Sequence, residues 1–131
     1  MKPTDADIDL RLSGKTVSRC CVDMAFSLEF LEGDSRTVIR IGGRMNIEDG
    51  GTRLSLSGER AAQAGQASIL VGKTIEHAIS GKDGTLDVRF TDGSRLVVPF
   101  DTDYEAWEAN ATDGFMVVSL PGGGLSSWKP K

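Results

Sequence analysis

With 131 residues, 39% of them hydrophobic and 26% charged, the chain has enough material for one domain with its own core and needs neither a disulfide staple nor a metal to fold. Its 19 acidic and 15 basic residues leave a net charge of −4, which excludes the clustered Lys and Arg that phosphate backbones require, so no nucleic-acid partner is expected. No apolar run approaches the roughly 18 residues that span a bilayer, so no membrane association is expected either.

The opening MKPTDADIDLRL is too acidic and too broken for the apolar centre of a secretory leader, and the cytoplasm is the expected compartment. Two related segments follow, residues 12–41 and 70–100. Each begins with Gly-Lys-Thr and an aliphatic residue, continues through an Asp into an alternating apolar stretch that ends in Phe, and then runs through an acid with Gly to Ser-Arg and a second apolar stretch. The offsets are 58 between Gly14 and Gly72, 60 between Phe30 and Phe90, and 59 between Ser35 and Ser94. This is one domain, 1–131, with an internal duplication.

Within each copy the apolar residues alternate with period two. Phe26, Leu28 and Phe30 share one face against Ser27 and Glu29, and Leu86, Val88 and Phe90 share one face against Asp87 and Arg89. Gly33-Asp34, Asp83-Gly84 and Asp92-Gly93 supply the residues tolerant of positive φ that tight hairpins need. Each copy therefore reads as a three-stranded antiparallel meander, since connections this short cannot make parallel crossovers. One meander cannot bury a one-sided apolar face alone, so two are expected to pack as a barrel or a sandwich. The fold class is mainly β, with one or two short helices.

Adjacent Cys20 and Cys21 point to opposite faces of a strand and cannot easily meet disulfide geometry, so they read as reduced thiols with at least one buried. After Asp49-Gly50-Gly51, Leu54 and Leu56 alternate as a fourth strand would over 52–57. The Ala- and Gln-rich stretch 59–67 predicts a short helix linking the copies, weakened at Gly65. The only histidine, His77, lies in line with Ile75 and Ile79 on the expected strand, with Arg19 as its counterpart, which puts it at the end of an apolar face. A second helix is predicted over 103–109, with Tyr104 and Trp107 on one side, and Asp113-Gly114 then turns into a strand at 115–120 that ends at Pro121-Gly122-Gly123-Gly124.

The densest chemistry lies in Asp101, Asp103, Tyr104, Glu105, Trp107 and Glu108. Such carboxylates suit a hard cation, but the spacing is not that of a calcium loop, so no metal ligand or cofactor is assigned. The plainer reading is a short helix with acids in its first turn and both aromatic rings packed inward. Three successive glycines offer backbone N–H groups to an anion; equally, they let a chain reverse or pass close to another backbone. Neither Gly-Lys-Thr is a phosphate loop, because the upstream glycine is missing and strands follow. No nucleophile elbow is present, and nothing favours Cys20 or Cys21 acting with His77. No catalytic residue is assigned.

The paired Gly-Lys-Thr starts, Phe90-Thr91-Asp92-Gly93, Tyr104-Glu105-Ala106-Trp107-Glu108, and Pro121-Gly122-Gly123-Gly124 followed by Trp128 resemble a family of small bacterial proteins, a domain of unknown function common in actinomycete-type genomes. The resemblance covers nearly the whole chain and carries no activity. It implies that Tyr104, Trp107, Glu108, Gly122, Gly123 and Trp128 form one structural or binding patch.

Two functions remain open at this stage. One is a non-enzymatic module that binds another protein, of which an immunity-type neutraliser of a basic toxin is a concrete version. The other is a small-molecule or divalent-cation-binding protein or enzyme that uses 101–108 beside the 121–124 glycine loop. Strand edges left open at the meanders also invite a homodimer.

Overall fold

The structure, a computed structural model, describes residues 2–4 and 6–130. Among the described residues thirteen strands run in chain order as β1 Lys2–Thr4, β2 Ile8–Asp9, β3 Arg19–Val22, β4 Phe26–Glu32, β5 Ser35–Ile41, β6 Arg44–Asp49, β7 Thr52–Ser57, β8 Ile75–Ser80, β9 Leu86–Phe90, β10 Arg95–Val98, β11 Trp107–Ala111, β12 Met116–Ser119 and β13 Leu125–Trp128. Helix α1, Ala61–Ala64, and a 3-10 segment, Gly65–Leu70, link β7 to β8. All pairings are antiparallel. One sheet has the order β1-β13-β12-β11-β5-β4-β3 and the other β2-β8-β9-β10-β6-β7. The sheets do not close on each other, which resolves the choice between barrel and sandwich in favour of a sandwich.

Both expected meanders are present, as β3-β4-β5 in one sheet and β8-β9-β10 in the other. Their apolar faces form the core, where Phe26, Leu28, Phe30, Leu86, Val88 and Phe90 are all buried. The Gly-Lys-Thr starts meet between the sheets. Thr16 bridges Thr74 with their Oγ1 atoms 2.9 Å apart, Val17 N–H donates to Lys73 O, and Ile75 N–H donates reciprocally to Lys15 O. Beyond the meanders the halves exchange strands: β5 bends through Gly42 and Gly43 into β6, which pairs with β10, while β11 follows β10 and pairs with β5. Ala106 O accepts N–H bonds from both Gly42 and Gly43 at 3.0 Å, which fastens this corner.

Several expectations change. Residues 103–109 are not a helix. Asp103–Ala106 is an irregular exposed stretch that ends in buried Ala106, and β11 begins at Trp107. Trp107, Ala109 and the residues between them alternate buried and half-buried along β11, a period of two that pairing with β5 rewards and a helix would waste. Tyr104 is consequently half exposed while Trp107 is 1% exposed, so they do not share a packed face. Cys20 is only half-buried and Cys21 is exposed, because β3 is an edge strand. A bulge between Ile75 and His77 shifts the alternation of β8: Ile75 and Ala78 face the core while His77 is half-buried and Ile79 stands out. Finally, the two Ser-Arg pairs are not equivalent in register. Phe90 N–H donates to Ser94 O at 2.9 Å, whereas Thr37, not Ser35, faces Phe30, so the first hairpin is the longer. Strands β6 and β13 were not anticipated.

Candidate functional site

The acidic segment is shaped by its two ends. At the start, Asp101 Oδ1 accepts Asp103 N–H at 2.8 Å and Asp101 O accepts Gly122 N–H at 2.7 Å, which ties the loop to the glycine turn. At the end, Trp107 inserts into the core and donates from Nε1 to Gly84 O at 2.8 Å, where Ser119 Oγ also donates at 2.9 Å. Thr102 to Glu105 therefore project into solvent between two anchors. The Tyr104 phenol is pushed above its ordinary range, first by the Asp101 carboxylate and then by Glu59.

The predicted residues divide among five places. Asp101 and Tyr104 line a polar cleft of about 460 Å³ whose other walls include Arg44, Ser55, Glu59 and Arg60. Its two cations and two acids balance, and Arg44 is engaged with Ser55 Oγ at 2.9 Å. Glu105, Trp107 and Glu108 border a neighbouring hollow of about 250 Å³ with Met24, Ala25 and Arg40. Asp103 lies in the exposed loop. Gly122 and Gly123 form the turn between β12 and β13, which presses on the Asp83-Gly84 turn: Gly124 N–H donates to Asp83 O at 2.8 Å. Close backbone approach is thus what the glycine run accomplishes. Trp128 pairs with Met116, three residues along β13 from Leu125 and so on the order of 10 Å from the Ser119 end of the turn.

Carboxylates at 101, 103, 105 and 108 do not converge. Among the described residues no three His, Cys, Asp or Glu side chains are grouped to hold a metal ion. His77 Nδ1 lies 3.9 Å from Glu76 on β8, and the cysteines sit on β3 of the other sheet.

What sequence reasoning missed is the turn between β3 and β4. Asp23 Oδ1 accepts Ala25 N–H at 2.9 Å just as Asp83 Oδ1 accepts Thr85 N–H at 2.9 Å, which makes Met24 the counterpart of Gly84. Gly84 is buried under Trp107, Ser119 and the glycine turn, whereas Met24 is 85% exposed. The edges of the hairpins differ in the same sense. Strand β2 pairs with β8 and covers it, placing Ile8 opposite Ser80, while among the described residues β3 pairs with β4 alone. Counterpart positions register the difference: Ser80 is 0% exposed and Val22 is 38% exposed. The signal was available in the aligned frame, where a methionine stands in a turn whose partner carries glycine.

No helix among the described residues is long and apolar enough to cross a membrane. No curated protein and no solved structure matches the chain. A family model does match, over residues 8–129, and on that span the chain belongs to DUF6188, a family of unknown function.

Proposed function

We propose that the chain is a protein-binding module that docks its partner on the bare β3–β4 hairpin and the adjoining acidic loop. The observation that carries this reading is Met24, 85% exposed at the rim of a hollow bordered by Glu105 and Glu108. An unbranched, adaptable apolar side chain in water beside acids is what a contact surface for a basic partner requires. Arg40, which reaches Asp23 at 3.4 Å, neutralises only part of the acidic charge. A basic toxin is one partner with that chemistry, and the cytoplasm is the compartment that suits the reduced thiols of Cys20 and Cys21.

Affinity capture on the immobilised chain from its host's lysate tests the reading. The expected result is a protein retained by the wild type and by Lys82→Glu, a change on the covered hairpin, and depleted about tenfold or more by Met24→Asp with Glu105→Lys. Equal retention by all three, or no enrichment at low or high salt, contradicts it.

A second reading has its own support in the polar cleft beside Tyr104, whose volume suits a small molecule. Thermal-shift screening with nucleotides, phosphorylated metabolites and divalent cations addresses it, since a ligand at a hundred times its Kd adds about 2.7 kcal/mol. No shift with any of them removes this reading and leaves the first intact.

A further inference from the structure

Edge strand β3 and the residue after it read Arg19-Cys20-Cys21-Val22-Asp23, and this short segment is complementary to itself. We infer that the protein forms a two-fold dimer in which β3 pairs antiparallel with β3 of a second copy, with Cys21 on the axis. The inference goes beyond the partner reading above: both use the bare edge of β3, but the dimer is built on its backbone groups and not on the Met24 hollow, and its cross-linking test does not depend on any captured partner.

The free side of β3 has backbone groups to offer. On β8, Ala78 is the counterpart of Cys20 and its carbonyl accepts Leu10 N–H at 2.9 Å, so this position points away from the meander. By the alternation of antiparallel ladders, Cys20 and Val22 present their N–H and C=O groups outward while Cys21 faces β4. Nothing among the described residues accepts them. A second β3 can, with Cys20 opposite Val22 of the other copy and the reverse, and Cys21 falls at a non-hydrogen-bonded pair, where opposing side chains approach most closely.

Side chains select the same register. Pairings centred between residues would oppose core-facing to solvent-facing positions and violate the pleat. Centring on Cys20 sets Arg19 against Cys21, and centring on Val22 sets Cys21 against Asp23, with no opposite charges matched in either. Centring on Cys21 sets Arg19 against Asp23 of the other copy twice, and it joins half-buried Cys20 to exposed Val22 on the core side. Arg19 and Asp23 keep exposure for this: their side chains are 60% and 52% accessible although Arg19 also holds Glu29 and Asp23 meets Arg40. Continuing the seven-stranded sheet across the axis covers the one meander edge that β2 leaves open, and a closed isologous pair stops there without growing into a fibre.

Oxidative cross-linking reads the register directly. In a Cys20→Ser chain with diamide as added oxidant, two Cys21 thiols form one disulfide and pass two protons and two electrons to diamide. The expected product is a covalent dimer that Cys21→Ser abolishes. Arg19→Asp and Asp23→Arg, each introduced into Cys20→Ser, place like charges across the axis and slow cross-linking by about tenfold. Mixing the two variants restores opposite charges at both sites, so heterodimer forms at the parental rate, an outcome that also shows both variants are folded. Equal cross-linking in all mixtures would mean thiols meeting by random collision and would overturn the proposal. So would failure of the mixture to recover, or wild-type sedimentation as a monomer at every concentration tested.

Discussion

The β3–β4 and β8–β9 hairpins occupy corresponding places in the two meanders, yet one is wrapped and the other bare. On the second, β2 lies along the edge, Asp7 Oδ1 takes Lys82 N–H at 2.9 Å, and Trp107, Ser119 and the glycine turn close over Gly84. On the first, no strand among the described residues covers β3, and Met24 stands in water. Apolar alternation in the two is alike, so it does not distinguish them. What separates them is supplied by segments distant in sequence, the N-terminal strand on one side and residues 107–124 on the other. A hairpin's exposure is therefore a property of what the rest of the chain brings to it.

The largest consequence is expected at the turn tips. Gly84 has φ +99°, and a Cβ there would lie 2.9 Å from Gly124 O and from Ser119 Oγ. Gly84→Ala is expected to cost about 2–4 kcal/mol in urea unfolding, from backbone strain and overpacking together. Met24→Ala, at the equivalent position, is expected to stay within about 0.5 kcal/mol of the wild type. Similar losses at both positions would mean that the first hairpin is covered after all.

Next in size is the bond that holds the wrapped turn. Trp107→Phe keeps most of the ring volume but removes the donor to Gly84 O, and is expected to cost about 1–3 kcal/mol. If Ser119 alone satisfies that carbonyl, the loss is smaller, and Trp107→Phe with Ser119→Ala then exceeds the sum of the single changes.

Smallest is the effect at the paired lysines. Lys73 is held by Asp92 and by Asp49 at 3.3 Å, and Lys15, among the described residues, by Glu32 alone in a more open setting. Lys73, followed by Ser94, holds the Asp92 carboxyl well below its ordinary 3.8. A depressed folded-state value means that this stabilisation is present above pH 3.8 and lost as the pH falls through the folded value. Asp92→Asn is thus expected to lower the thermal midpoint at pH 7 by more than Glu32→Gln does, with the deficit narrowing as the pH drops below 3.8. Both groups are exposed, so screening keeps the effects modest.

Much of this architecture could be read from residues alone. Alternation at 26–30 and 86–90 and the Asp-Gly turns announce the meanders, because a half-buried strand writes its faces into every second residue. Residues 103–109 misled because Tyr104 and Trp107 sit at helical spacing while the deciding influence, pairing of Trp107 with Ile41 of β5, comes from far away in the chain. The glycine run was legible as a close approach, but its partner Gly84 was not, since nothing local to 121–124 names the turn it meets. Met24 went unremarked for a related reason: one apolar residue in a turn signals exposure only when its counterpart is seen to be buried.

Native-state hydrogen exchange on the intact chain tests the asymmetry of the hairpins most directly, by comparing the Val22 amide on β3 with the Ser80 amide on β8 at low protein concentration. With Ser80 paired to Ile8 on its outer side and the Val22 amide directed away from β4, Val22 is expected to exchange at least about a hundredfold faster, the equivalent of roughly 2.7 kcal/mol of local opening. Equal protection of the two amides in the monomer would contradict a bare β3 edge, and the docking surface built on it with it.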